Sequence, residues 1–144
     1  MQKATPWIHK VQYYETDQMQ VVHHSNFVRW FEEGRIHALE EMGIGYDRLE
    51  AMGIGIPVIS IDAKLVKSVR FGETVKIQTA IEKFDGIRLT VRYRIVRAED
   101  GEICCTGSTG HCFLGEDGRL ISLKRKYPEI YEAIQKLPTD FEPM

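Results

Sequence analysis

The 144-residue sequence predicts an α+β fold: a curved antiparallel sheet wrapped around one long helix that lies across its concave face. Two observations carry that expectation. The early stretch from about Asn26 to Met42 repeats its apolar residues Phe27, Trp30, Phe31, Gly34 and Ala38 at helical spacing. From Pro57 onward the period changes to two and stays there, through strands separated by tight turns. Strands that follow an isolated helix point to an antiparallel sheet, whose apolar face needs a cover. The long helix is the element able to supply it.

Taken in order, the chain opens as a strand. Trp7, Val11 and Tyr13 lie on one side, interrupted by His9, with Lys10 and Gln12 on the other. The polar cluster Glu15-Thr16-Asp17-Gln18 breaks it. After Val21-Val22 and His23-His24, Ser25 or Asn26 is suited to cap the helix start. Glu32, Glu33, Arg35, Glu40 and Glu41 supply most of the polar side of that helix. Gly34, a poor helix former, fits the apolar stripe if the helix backbone comes close to a sheet. Met42-Gly43 ends the helix, and Tyr46 to Met52 reads as a short second one stopped by Gly53. The two Gly-Ile-Gly triplets around it follow no strand, so they are not phosphate loops.

Ile59, Ile61, Ala63 and Leu65 then alternate with polar residues, and a phase slip at Val66 to Val69 suggests a bulge. Val75, Ile77, Thr79 and Ile81 form the next inward face, and Phe84-Asp85-Gly86 turns. Ile87, Leu89, Val91, Tyr93 and Ile95 alternate with Arg88, Thr90, Arg92 and Arg94. Ile103 to Leu114 is a long strand rich in small residues, and Lys124 to Leu137 closes the chain as a helix with an irregular tail beyond it.

Composition narrows the class of protein. The length suits one domain, 1–144, able to bury roughly two-thirds of its unfolded surface. A 43% hydrophobic, 28% charged composition is that of a soluble globular protein, and a net charge of −2 argues against a dedicated nucleic-acid binder. There is no signal-peptide pattern in the first ten residues and no apolar run of the ~18 residues needed to span a bilayer. Three cysteines, Cys104, Cys105 and Cys112, suit a reducing compartment with free thiols. The expectation is a cytoplasmic protein without a membrane partner.

The chemistry concentrates in residues 13–31. One acid, Asp17, sits in a loop just ahead of a helix N-terminus, which offers unpaired N–H groups and a partial positive charge suited to an oxyanion. Asp is also common as a plain turn residue.

This region, with Tyr14, Thr16, Asp17, Val21, Val22, His24, Asn26 and Phe27 at fixed spacing, resembles the hotdog-fold acyl-CoA thioesterases. More narrowly it is similar to the 4-hydroxybenzoyl-CoA thioesterase/YbgC-like branch, over about residues 7–123. The resemblance implies hydrolysis of an acyl-CoA to a free acid and coenzyme A, without a cofactor. Asp17 matches the family's catalytic aspartate, as nucleophile or as general base for water. His24 matches the residue whose backbone N–H polarises the thioester carbonyl. Val22, His23, Phe27 and Ser60 are further expected substrate contacts. Two positions depart from the family pattern: Gln20 stands where glycine is usual, and Phe27 where tyrosine is common.

Other chemistry is weighed beside it. Lys67, Arg70 and Arg88, with Lys64, are candidates to meet the coenzyme A phosphates, against the plainer reading of a solvated or interface stripe. A Cys nucleophile with His111 and a metal cluster of Asp17 with histidines are weaker alternatives, the latter because the spacing matches no common ligand pattern. A non-catalytic acyl-CoA binding module, an acyl-carrier-protein thioesterase and a dehydratase using His37 are the rival functions. A homodimer or homotetramer is expected, with the small-residue strand 103–114 as the buried subunit edge and each site shared between subunits.

Overall fold

The computed structural model describes residues 5–141. Its five strands are β1 (Trp7–Lys10), β2 (Val58–Leu65), β3 (Thr74–Phe84), β4 (Arg88–Arg97) and β5 (Ile103–Cys112), and every pairing is antiparallel. They form one sheet in the order β1-β3-β4-β5-β2. The long helix α1 (Ser25–Glu41) packs on β3, β4 and β1, as the alternation of apolar residues requires. Short helices α2 (Tyr46–Ala51), α3 (Leu123–Lys126) and α4 (Pro128–Gln135) complete the architecture.

The apolar stripe of α1 faces the sheet: Phe27, Trp30, Phe31, Gly34 and Ala38 are all buried. Trp30 and Phe31 are fully buried, each a burial of roughly 2–3 kcal/mol. Gly34 is required by proximity, since a Cβ there would lie 2.6 Å from Ile77 Cγ2 on β3. Phe31 stacks on Tyr93 of β4 at 4.4 Å, and a Cβ on Gly107 of β5 would strike its ring. Gly107 of β5 therefore answers to the helix above it, whereas Gly110 is crowded by Ser60 of β2. The α1 C-terminus is stopped by Gly43 in the left-handed region, with Ile44 N–H bonded back to Leu39 O at 3.1 Å.

Five expectations need correction. Tyr13 does not continue the first strand: β1 ends at Lys10, residues 13–15 form a 3-10 turn, and the Tyr13 ring is exposed against Phe71. Neither Ser25 nor Asn26 caps α1, because His24 precedes it and Asn26 is turned inward. The alternation 59–65 does not bury one face. β2 is one of the two edge strands and is exposed along its whole length. Conversely β5 lies between β4 and β2, so the small-residue strand is interior and not a subunit edge. The C-terminal helix is broken at Tyr127 (φ −138°, ψ 69°), held out of the helical region as residues before proline tend to be, and restarts with Pro128 at its first position.

The basic side of β4 is not bare. Arg92 and Arg94 lie 4.6 and 4.7 Å from the centre of the Phe141 ring, and Arg92 also donates to Thr139 O at 2.7 Å. The chain beyond α4 thus folds back over that stripe, and Pro138 O accepts from Ile81 N–H at 2.8 Å.

Candidate active site

The loop between β1 and α1 is a small hairpin. Thr16 bridges Val22, Asp17 N–H donates to Val21 O at 2.9 Å, and His23 N–H donates to Glu15 O at 2.8 Å. Val22 N–H in turn donates to Val69 O at 2.8 Å, fastening the hairpin to the segment after β2. At its tip Asp17 is half-buried, and its Oδ1 accepts the Met19 N–H at 2.8 Å. Its Oδ2 carries no hydrogen bond among the described residues. Gln20 closes the turn with φ 66°, the one non-glycine residue in the left-handed region among those described. The glycine usual in the resembling family would take that conformation without strain.

At the base of the hairpin the chain enters α1. His23 Nδ1 accepts the Ser25 N–H at 3.2 Å and meets the Ser25 hydroxyl at 2.8 Å, so a histidine ring does the work of an N-cap. Asn26 and Phe27 N–H donate to His23 O and His24 O at 2.9 and 3.2 Å. The His24 N–H has no such acceptor among the described residues. The supply of free N–H groups expected at the helix start narrows to that one. The rings of His23 and His24 lie 4.1 Å apart, because His24 has already turned into helical backbone (φ −54°, ψ −30°).

What fixes the hairpin is a residue the sequence reading passed over. Glu15 is 5% exposed. Its Oε1 accepts from Gln12 N–H and meets His9 Nε2, both at 2.8 Å, and its Oε2 accepts from Trp30 Nε1–H at 2.8 Å. Burial alone would raise its pKa, but the bonds from Gln12, His9 and Trp30 outweigh it and hold the carboxyl below its ordinary value. The sequence signal was present in Glu15 standing three residues after Gln12, where an acid reaches back to a free N–H.

The other named residues are distributed as follows. Val22 and Phe27 are core residues, Phe27 edge-on to Trp30 at 5.3 Å. Ser60 lies on the exposed edge strand opposite Gly110. Lys67 pairs with Glu102 at 3.1 Å, and Arg70 is exposed close by in sequence, its N–H bonded to Glu73. Arg88 begins β4, whereas Arg97 at the far end of that strand bonds Ser68 O. Nine residues of strand, roughly 30 Å, separate those ends, so one chain does not bring Arg88 together with Lys67 and Arg70.

The cysteines are buried and free. Burial pushes Cys105 up to about 12, and His111 bonds Thr109 Oγ1 at 2.7 Å, so no thiol–imidazole pair forms between those groups. Among the described residues no three His, Cys, Asp or Glu side chains are grouped to hold a metal, and no helix is long and apolar enough to cross a membrane. A second polar cluster was missed altogether. Arg35, 6% exposed, donates to Tyr46 Oη at 2.7 Å and Tyr93 Oη at 3.0 Å, and Tyr93 meets Thr109 at 2.6 Å. Arg35 stands four residues after Phe31 and three before Ala38, so its spacing belongs to the stripe and only its charge suggested otherwise.

A long helix clasped by an antiparallel sheet, with an acidic hairpin leading into the helix N-terminus, is the arrangement of the hotdog thioesterases. The model of the Thioesterase-like superfamily matches residues 11–141, and the chain belongs to that family. YneP of Bacillus subtilis (strain 168) is 31% identical over 128 residues, covering 88% of this chain and 92% of that protein. The acyl-CoA thioester hydrolase YbgC of Escherichia coli O6:H1 is 29% identical over 94 residues, 65% of this chain and 70% of that one. Among solved structures, the DHNA-CoA thioesterase from Staphylococcus aureus superposes with a TM-score of 0.87 at 34% identity, covering 94% of this chain and 91% of that one.

Proposed function

We propose that the protein hydrolyses acyl-CoA thioesters to a free carboxylic acid and coenzyme A, with Asp17 as the catalytic carboxylate and the His24 N–H as oxyanion donor. The observation that carries this reading is the hairpin itself. It holds a carboxylate with one unoccupied oxygen and a peptide N–H without an acceptor on a single short, hydrogen-bonded loop. Either route to hydrolysis uses both groups. As a nucleophile, Asp17 Oδ2 attacks the thioester carbon, the C–S bond breaks, and water cleaves the resulting anhydride. As a general base, it takes a proton from water as that water attacks. In both, negative charge grows on the carbonyl oxygen, where an N–H donor lowers the barrier.

The working unit is a homodimer, with a tetramer as the larger option. Support comes from β2, an eight-residue edge whose Val58, Ile59, Ile61 and Leu65 are all exposed. A long apolar edge is an invitation to pair. Pairing there would bring the partner's β2 toward the hairpin and leave Lys67, Arg70 and Arg88 to be gathered, if at all, across subunits.

A panel of aliphatic and aromatic acyl-CoA thioesters, with free thiol measured for wild type and Asp17→Asn, tests the activity. Release by wild type and its loss in the variant are expected. No release from any member of the panel sinks the reading.

A further inference from the structure

We propose that Glu15 is a positioning residue for the thioesterase site, the clamp that sets Asp17 and the His24 N–H relative to one another. The inference rests on the functional reading above but adds a residue to it. Glu15 acts through both of its polar ends. Its peptide oxygen accepts two bonds, from His23 N–H at 2.8 Å and from the buried Asn26 Nδ2 at 2.7 Å, which ties the base of the hairpin to the first turn of α1. Its carboxylate accepts three, from the backbone of Gln12, from His9 on β1 and from Trp30 in the core. Five contacts, from His9 on β1, from the Gln12 backbone, from His23 at the base of the hairpin and from Asn26 and Trp30 on α1, therefore converge on a residue two positions before Asp17.

The partners are themselves fixed. His9 lies against the Trp30 ring at 4.9 Å and has Glu33 Oε1 at 3.3 Å from its Nδ1. Trp30 is fully buried, and Asn26 is 7% exposed. The carboxylate is thus seated on the rigid part of the fold while its backbone carries the loop. That is the placement a reacting group needs, since an error of about 1 Å in a catalytic constellation can cost on the order of 10²-fold in rate.

Glu15→Gln keeps size and shape but replaces one acceptor oxygen by an NH2 donor. Three donors then face one oxygen, and one of the bonds from Gln12, His9 or Trp30 must be lost. The expected result in the full-length protein is a kcat lower by about 10- to 100-fold with KM within about threefold, the split that marks loss of geometry in the reacting state. Hydrogen exchange should rise over residues 16–26 and stay unchanged in β4 and β5. Trp30→Phe, which removes one donor and retains an aromatic ring, should shift both readouts in the same direction by less, and stands in if Glu15→Gln does not fold. Wild-type kcat for the folded variant, or a rate loss with unchanged exchange over 16–26, overturns the clamp. If wild type releases no thiol from any thioester, the functional reading fails and the clamp with it as a catalytic device, while the exchange result still reports whether Glu15 holds the hairpin.

Discussion

The backbone N–H of Met19 donates to Asp17 Oδ1 at 2.8 Å, which fixes one carboxylate oxygen and leaves the other free. An asparagine keeps the bonded oxygen and loses only the chemistry. Asp17→Asn should therefore fold with little change in stability and lower kcat by at least ~100-fold, the range for an essential acid–base or nucleophilic group. A variant retaining more than about a tenth of wild-type turnover would exclude Asp17 as the catalytic carboxylate.

His24 separates side chain from backbone. Alanine preserves the N–H and should be the milder change. Proline removes it, and the His24 φ of −54° is already close to the value the ring imposes, so the helix entry can survive. His24→Pro should cost about 10²-fold or more in kcat, on the scale of losing one oxyanion donor. Equal rates for the two folded variants would remove the backbone-donor idea.

Gln20 carries a strain that glycine lacks. An L-residue in the left-handed region costs roughly 1–2 kcal/mol, part of which glycine returns as extra freedom in the unfolded chain. Gln20→Gly should raise stability by up to about 1 kcal/mol, read as a higher denaturant midpoint at unchanged slope. A lower midpoint would mean the Gln20 side chain makes contacts that outweigh its backbone.

His111 gives the protein an acid limb of its own. Burial first, and the nearby Arg35 charge second, push its pKa from the ordinary 6.5 down to about 4. The unfolded chain therefore binds the proton more readily, and stability falls as pH drops from 6.5 toward 4, by on the order of 3 kcal/mol over the window. Glu15, with its pKa lowered, adds a further loss that begins as pH falls below the ordinary 4.5, where the unfolded chain takes up the proton first, and ends once the folded carboxyl protonates. Denaturant midpoints from pH 7 to 4 should fall for wild type and flatten in His111→Asn. Parallel curves would assign the acid loss to other groups.

Assembly can be read through activity. If each site is completed by the partner's β2, dilution to the monomer should abolish turnover and not merely weaken binding. Light scattering and rate measured over one concentration range decide it, and a fully active monomer would discard the shared site.

The helix and the succession of strands along the chain were legible because burial imposes a period, and Phe27, Trp30, Phe31 and Ala38 obey it. Asp17 was legible as an acid ahead of a helix start. Edge and interior were not: β2 and β5 both alternate or thin out in ways that pairing alone decides, and the sequence carries no record of which strand stands outermost. Glu15 and Arg35 were hidden for another reason. Each is charged and buried, and a charge is read as surface until its hydrogen-bond partners, which lie from three to 58 positions away, are brought to it.

The chain Tyr46–Arg35–Tyr93–Thr109–His111 has an evolutionary corollary. Tyr93→Phe alone would take one partner each from the buried Arg35 guanidinium and the Thr109 hydroxyl, and replacing Arg35, Tyr93 and Thr109 together by apolar residues would in turn leave His111 Nε2 without its Thr109 partner. These positions are free to drift only as a set, and a lineage that loses one of them is under pressure to lose its neighbours within the same stretch of descent.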